Sequence, residues 1–528
     1  MKAILSLTVI ASPLLIAANI HEQPVTLYQG LGSWRHTIVT QSPQAQKFFD
    51  QGLTLVYSFN RYEALRSFRK ASELDPSATM PFWGMAIAQG PYINMDGDPS
   101  FNLKEACTAV HAGLQIKSAS APERAYLKAA SSWCPEFSPD VYVAAARELA
   151  ASYPDDPDAQ TFYADSLLIR SRWRWYDAKG TPAAGVTDAE SALQEVIRRW
   201  PQHPGANHLF IHSVESSPSP ERAIASAQRL MGVVPWAGHM VHMPGHIWLV
   251  LGDWEMAASV NDRAAQVDRE YFSRTGVSGS YQPYYLHNLH FIMYARSMQG
   301  RKTQALEAAD ALSAAAGAVS AAMPEMTDAF TALPIFTYVR FAAWGSILKL
   351  PNAADNMVAT RSALSYARTL ALVGKGDNTA ANKEQAAFEE LCRKIPANAP
   401  WGQNAARDVM RVASEVLAAR LSPDSTHACP HWREAVDLQD RFVYDEPPAW
   451  YYPIRESYGA CLLRTGNAEQ AAIVFREGVR RSPHNGRMLF GLMKSLEALG
   501  NSYQAGLVRR EWEAAWAGAD AELTLTDL

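Results

Sequence analysis

Two segments near opposite ends of the chain carry the same spacing of small and large side chains. Gly52, Ala64, Phe68, Ala71 and Pro76 form one set, and Gly459, Ala471, Phe475, Gly478 and Pro483 the other. Helical hairpins that repeat about every 34 residues place a small residue at position 8, Ala at 20, a large apolar residue at 24, a small one at 27 and Pro at 32. Both sets match in full. Such a unit cannot bury its apolar face alone, so its neighbours must stack on it and the whole chain is drawn into an array. Ala is abundant and β-branched runs are scarce, which favours helix throughout.

These matches predict an all-α fold, a right-handed tetratricopeptide-repeat helical superhelix (α-solenoid). The chain has 528 residues, more than one compact core holds. The same frame fits the middle of the chain. Ala223 and Pro235 fall at positions 20 and 32 of one repeat, and Gly245, Ala257 and Ala264 at 8, 20 and 27 of the next. Gly252, Gly300 and Gly466 then share position 15, the turn between paired helices. The expected organisation is a signal peptide over 1–18, an N-terminal segment with the first repeats over 19–100, and central repeats over 101–310. A degenerate helical region follows over 311–440, and C-terminal repeats over 441–528. Polar or Gly-rich stretches at 90–100, 176–187 and 273–283 read as loops or insertions.

Residues 1–20 (MKAILSLTVIASPLLIAANI) combine a basic start, an apolar stretch and small residues at Ala17 and Ala18, the pattern of a secretory signal. The mature chain is then expected in the periplasm or outside the cell, with no membrane span once the signal is removed. The net charge of −5 gives no electrostatic footprint for nucleic acid. Five Cys are scattered without a CxxC pair. Cys107 with Cys134 is the nearest pair for a disulfide, and most of the five read as small buried apolar residues.

Seven of the 14 histidines lie between His208 and His290 and keep step with the repeat. His208 and His242 are 34 residues apart, as are His212 and His246. In the repeat frame His208, His242 and His290 take position 5, His212 and His246 position 9, and His239 and His287 position 2. Glu215 takes position 12. Positions 2, 5, 9 and 12 share one face of a helix with ~3.6 residues per turn. In tetratricopeptide arrays that face of the first helix lines the concave groove, so stacking should gather the imidazoles.

Neutral imidazole is the commonest metal ligand, and helical i,i+3 and i,i+4 pairs can share an ion. The predicted ligands are His208, His212, His239, His242, His246, His287 and His290, holding one or two ions. Glu215 is the nearest carboxylate and a candidate catalytic acid or base, and Asp165 a weaker one. So much nitrogen and so little oxygen excludes Ca²⁺ and Mg²⁺ sites and points to zinc or copper. Met240 and Met243 in HMVHMPGH would favour copper if their sulfurs reached the ion, but core filling explains them better. Metal release is expected as pH falls below about 6, because ligand imidazoles must be unprotonated.

Other signals are weaker. HMPGH lacks the Glu of an HExxH peptidase motif, and there is no GxSxG, P-loop or GxGxxG in context. His427 and His431 flank Cys429 by loop chance. His36 could reach the groove, although a surface position fits it better. Trp173, Trp175, Tyr176, Trp236, Trp248, Trp254, Tyr281, Tyr284, Tyr285 and Tyr294 collect near the histidines, mostly as packing. Tyr294 stands at position 9 of the third repeat, where it could face a metal.

Several segments carry a wider likeness: FFDQGLTLVYSFNRYEALRSFRKASELDP, NHLFIHSVESSPSPERA, GHMVHMPGHIWLVLGDWEMAASVNDRAAQVD, YYLHNLHFIMYARSMQGR and EPPAWYYPIRESYGACLLRTGNAEQAAIVFREGV. Through them the chain resembles uncharacterised bacterial tetratricopeptide-repeat proteins with a histidine-rich central region, often exported. The resemblance implies the helical-repeat fold and no activity. Three functions fit the residues. One is a metal-dependent hydrolase or oxidase acting on a small molecule. Another is a metal carrier. The third is an interaction scaffold holding a peptide in its groove.

Overall fold

The computed structural model of the protein describes residues 23–528 except 97, 99, 277–280 and 321–323. The proposed signal segment therefore lies outside the described residues, and so does part of the loop at 273–283. The fold is an all-α solenoid of paired antiparallel helices, with a two-residue β-hairpin at Pro400–Trp401 and Asn404–Ala405.

The two full repeat matches become the hairpins Pro43–Tyr57 with Arg61–Leu74 and Arg455–Arg464 with Ala468–Arg481. Their shared spacing has a shared cause. Phe68 is fully buried in the space left by two glycines, Gly52 on the partner helix and Gly84 on the next hairpin. A Cβ on Gly52 would stand 2.6 Å from the Phe68 ring. Phe475 sits in the same way against Gly459, where a Cβ would again come within 2.6 Å, and against Gly491. Burying each ring contributes roughly 1.5–3 kcal/mol, so the glycines serve close packing here. At the predicted turns Gly252, Gly300 and Gly466 have φ of 75°, 68° and 81°. That left-handed conformation lets one helix end and the next begin within a few residues.

Helix starts are capped as the sequence dictates. Ser42 accepts from the Ala45 amide, Asn60 from Glu63, Asp253 from Met256 and Asn501 from Gln504. Each satisfies an amide that has no partner inside its helix.

Residues 311–440 continue the helical array, and the structure answers what they do. Ala329, Phe330 and Leu333 from Pro324–Arg340, together with Trp401 and Gln403 beside the β-hairpin, form one wall of a cavity whose floor carries the histidines. The array also closes on itself. Gly252 abuts the backbone of Pro483, Gly300 packs on Trp516, and the Trp254 indole donates to the His484 carbonyl at 3.3 Å.

The cysteines depart from their expected apolar role. Cys107 pairs with Cys134 and Cys429 with Cys461, and only Cys392 is free among the described residues. Spacing misses the second pair because its members sit on different helices, Ser425–Gln439 and Arg455–Arg464, which packing brings together. Among the described residues no helix is long and apolar enough to cross a membrane.

Candidate metal centre

Helix Pro204–Glu215 carries His208, His212 and Glu215. The next repeat carries His239 and His242 on Gly238–His242 and His246 on Pro244–Val250. Pro244 interrupts what the repeat frame treats as one helix, because it has no amide to donate. Met243 stays helical, at φ −50° and ψ −38°, so the rings keep their shared face. His287 and His290 lie on Gln282–Met298. Five of the rings are almost wholly buried: His208, His212, His239, His242 and His246 are each at most 3% exposed.

Six of the seven histidines fall into two triads, each with its ligand atoms inside 4.8 Å of one another: His208, His212, His239 and His242, His246, His287. His208 Nε2 and His239 Nε2 are 3.1 Å apart. His242 Nε2 and His246 Nε2 are 2.7 Å apart. Two nitrogens on a tetrahedral zinc at ~2.0–2.1 Å stand about 3.3 Å from each other. His290 lines the cavity but belongs to neither triad.

The far sides of these rings decide what the near sides can do. His208 Nδ1 meets the Tyr57 carbonyl at 2.5 Å. A carbonyl only accepts, so Nδ1 carries the hydrogen and Nε2 keeps a lone pair. His242 Nδ1 meets Asn261 Oδ1 at 2.6 Å. The Asn261 amide is oriented by its own donation to the Ala257 carbonyl at 2.8 Å, so His242 Nε2 is likewise a lone pair. His212 Nδ1 is 3.0 Å from Glu215 Oε1. His246 Nδ1 is 2.5 Å from Glu215 Oε2, an ionic contact off the line of a hydrogen bond. Facing a carboxylate, both keep hydrogen on Nδ1 and turn Nε2 inward. This is the outer-shell arrangement that fixes metal-binding imidazoles.

The inward nitrogens have too few donors among them. With hydrogen on both Nδ1 atoms, His242 and His246 present lone pairs to each other at 2.7 Å, which is repulsive without a cation between them. His212 Nε2 and His239 Nδ1 are buried without a hydrogen-bond partner, as are Glu215 Oε2 and Glu446 Oε2. An unpartnered buried polar atom costs roughly 1–3 kcal/mol. Burial, reinforced by neighbouring rings, holds His208, His239, His242 and His287 well below the ordinary imidazole pKa. Burial alone pushes His290 down to about 3. These rings are therefore unprotonated at neutral pH. Burial pushes the Glu215 carboxyl up, but His246 and His212 outweigh it and hold the group below its usual range. Glu215 therefore acts as an anion shared by the two triads. It lies behind the rings, and the cavity wall does not include it, so its geometry is that of a positioning group.

Phe59, Phe291 and Glu446 reach the site without having been singled out in the sequence, and Trp173, expected there as packing, meets a histidine directly. Phe59 stacks on His239 at 4.9 Å and lies 4.5 Å from His208, with φ of 55°. Trp173 meets His212 edge-on at 5.6 Å, with φ of 60°. Left-handed backbone at bulky residues costs about 1–3 kcal/mol each and gathers at functional sites. Nothing in the sequence marks a positive φ at Phe or Trp. Phe291 lies 4.7, 5.2 and 4.9 Å from His242, His246 and His287. Glu446 brings a second carboxylate, with Oε1 3.6 Å from His246 Nδ1. Burial, then Glu215 and Asp445, raise its pKa well above the ordinary carboxyl value. Its only sequence signal is a carboxylate ahead of two prolines in DEPPAW.

Other candidates go elsewhere. Tyr294 is buried in an apolar cluster with Trp254 and does not line the cavity. The break at Pro244 and the long helix Trp254–Thr275 separate the repeats unequally, so position 9 of the third repeat turns away. Met240 and Met243 are fully buried in the core, as expected, which removes the argument for copper. Asp165 joins neither triad and faces Arg61. His36 is half-buried at the edge of a separate surface pocket, away from the histidine cavity, and holds Asp158 at 2.8 Å. His427 and His431 pair with Asp424 and Glu415 on the outside.

The triads face a cavity of about 260 Å³, whose wall includes Tyr92, Trp173, Tyr284, Phe330 and Trp401. No protein-family profile matches the chain. An uncharacterised protein of Aquifex aeolicus (strain VF5) is 36% identical over 66 residues, 12% of this chain, which spans 9% of that protein's length. Among solved structures, the human IFIT1 dimer with m7Gppp-AAAA is 12% identical with a TM-score of 0.33, covering 91% of this chain and 92% of that one. Yeast Tom70 is 11% identical with a TM-score of 0.30, covering 89% and 90%. Scores this low leave the fold assignment to rest on the repeat geometry of the chain itself.

Proposed function

We propose that the protein binds two zinc ions, one in each histidine triad, and uses them in hydrolysis inside the cavity. The observation that carries this reading is the set of inward nitrogens whose outer atoms are already committed to Tyr57, Asn261 and Glu215. Zinc suits three imidazoles with a fourth position open to water, and a zinc ion bound this way lowers the pKa of its water to ≈ 7. The open fourth position favours an enzyme over a carrier that saturates its metal. The two disulfides support an oxidising compartment, hence the periplasm or the exterior.

Elemental analysis of the purified chain tests the reading. Two zinc equivalents are expected in the wild type. One is expected in His242→Ala/His246→Ala and one in His208→Ala/His239→Ala, each double variant confirmed as folded by circular dichroism. Unchanged metal content in both double variants sinks the ligand assignment.

A further inference from the structure

The cavity wall has a one-sided chemistry. Asp96, Asp98, Asp445 and Glu446 line it, and among the described residues no Lys or Arg does. Arg172 reaches Asp96 at 2.9 Å and Arg61 acts on Asp98, but neither guanidinium forms part of the wall. Neutral polar groups come from Asn94, Gln403 and two tyrosines, and most of the rest is apolar, with Phe330, Leu333 and Trp401 the largest faces. At about 260 Å³ the space lies just below the ~300–1,000 Å³ usual for ligand cavities.

Resting on the zinc reading above, we infer that the cavity takes a small ligand with an uncharged aromatic or branched apolar body and a single metal-binding carbonyl head. The histidine end of the cavity is its only cationic end once metal is bound, so one donor group belongs there. A negative charge on the body would find no guanidinium or ammonium in the wall to pair with, which is unfavourable in a buried site. Glu446 stands beside His246 with Oε2 unpartnered, placed to hydrogen-bond an N–H or O–H next to the carbonyl. Phe330 and Trp401 supply flat apolar area for the body.

The test measures calorimetric binding of three probes to the zinc-loaded full-length protein, with zinc content determined on the same sample. Benzohydroxamate, acetohydroxamate and 4-carboxybenzohydroxamate share one metal-binding head. Benzohydroxamate is expected to bind at least tenfold more tightly than acetohydroxamate, and at least tenfold more tightly than the carboxylated analogue. Ala329→Trp should fill the cavity and abolish benzohydroxamate binding at unchanged zinc content. Phe330→Ala should weaken binding several-fold, again at unchanged zinc content. Equal affinity for all three probes, or wild-type binding in both variants, overturns the ligand class while leaving the metal centre standing. A wild-type chain without zinc overturns the metal centre, and this inference falls with it.

Discussion

Tyr57 joins two buried clusters of histidine and carboxylate that look alike in composition and differ in kind. Its hydroxyl donates to Asp158 at 2.6 Å, and its carbonyl holds His208 at 2.5 Å. On the Asp158 side every polar atom has a use. Asp158 also receives Trp34 at 3.2 Å, His36 at 2.8 Å and His203 at 3.2 Å. His203 Nδ1 accepts the Ala206 amide at 3.0 Å, so its Nε2–H points at the carboxylate. On the His208 side, nitrogens converge with too few donors between them, and His212 Nε2 and His239 Nδ1 are left without partners. A satisfied network fixes structure, here by tying residues 34–36 to the array. A network with several unsatisfied, converging lone pairs is a place for a cation. His36, Asp156 and Asp158 also lie within ligand distance, but Asp158 has no acceptor capacity left to share.

The sharpest way to break this contrast is Asp158→Ala. It strands two histidines and a tyrosine hydroxyl in the core, and should cost about 3–5 kcal/mol in denaturant unfolding while zinc content stays unchanged. A loss under about 1 kcal/mol would mean that the closed cluster holds nothing together. Chelation probes the other side. At free zinc 100–1,000 times Kd, bound metal adds ~2.7–4.1 kcal/mol. Removing it should raise hydrogen exchange in Pro204–Glu215 and Gly238–His242 and leave Pro157–Arg170 protected. Uniform exchange along the chain would erase the distinction between the clusters.

Glu215→Gln is a finer probe, because the shared anion orients one ring of each triad. Loss of outer-shell partners typically weakens metal binding 10–100-fold, so both equivalents should weaken together in a zinc titration. Loss of one equivalent alone would show that Glu215 serves a single triad.

The smallest and most gradual effect is on pH. Burial opposes the charge on Asp158, but His203 and His36 win and hold it well below the usual carboxylate range. Its stabilisation is present above the unfolded value of ~3.9 and is lost as pH falls through the folded value. Burial lowers His36, but Asp158 outweighs it and raises the ring above 6.5. That contribution is present below ~6.5 and is lost as pH rises through the folded value. Both act together between about pH 4 and 6.5, and His36→Gln should flatten the alkaline limb of a stability–pH profile and, by removing one of the two rings that lower Asp158, shrink the acid limb in part. In the open cluster, burial and neighbouring rings push His208, His212, His239, His242 and His287 down, so protons compete with metal less than spacing alone implies. Release should begin below the pH of about 6 expected from the sequence, as read by zinc retained after dialysis between pH 7 and 4.5.

The order of the chain was legible wherever a local period governs it. Gly52 beside Phe68 and Gly459 beside Phe475, the turn glycines, and the face shared by His208, His212, His242 and His246 all follow from helix geometry and a repeat of fixed length. The site was legible only in part. Glu446, Phe59, Trp173 and Phe291 gave no periodic signal, because they reach the rings from other repeats or from turns. Tyr294 obeyed the register and still faced away, because a proline break and one long helix changed the spacing between neighbouring repeats.

Sequence by itself determined the helix hairpins and which side chains share a face, since both are set within a few turns by spacing and capping. Tertiary structure alone decided that seven histidines divide into two triads and a bystander. It also decided that Glu215 stands behind the rings and that residues 329–333, 401–403 and 445–449 help wall the cavity. Those outcomes depend on how the array closes, with Gly252 against Pro483 and Gly300 against Trp516. Closure sums many small packing terms between residues far apart in the chain, and no local pattern records that sum.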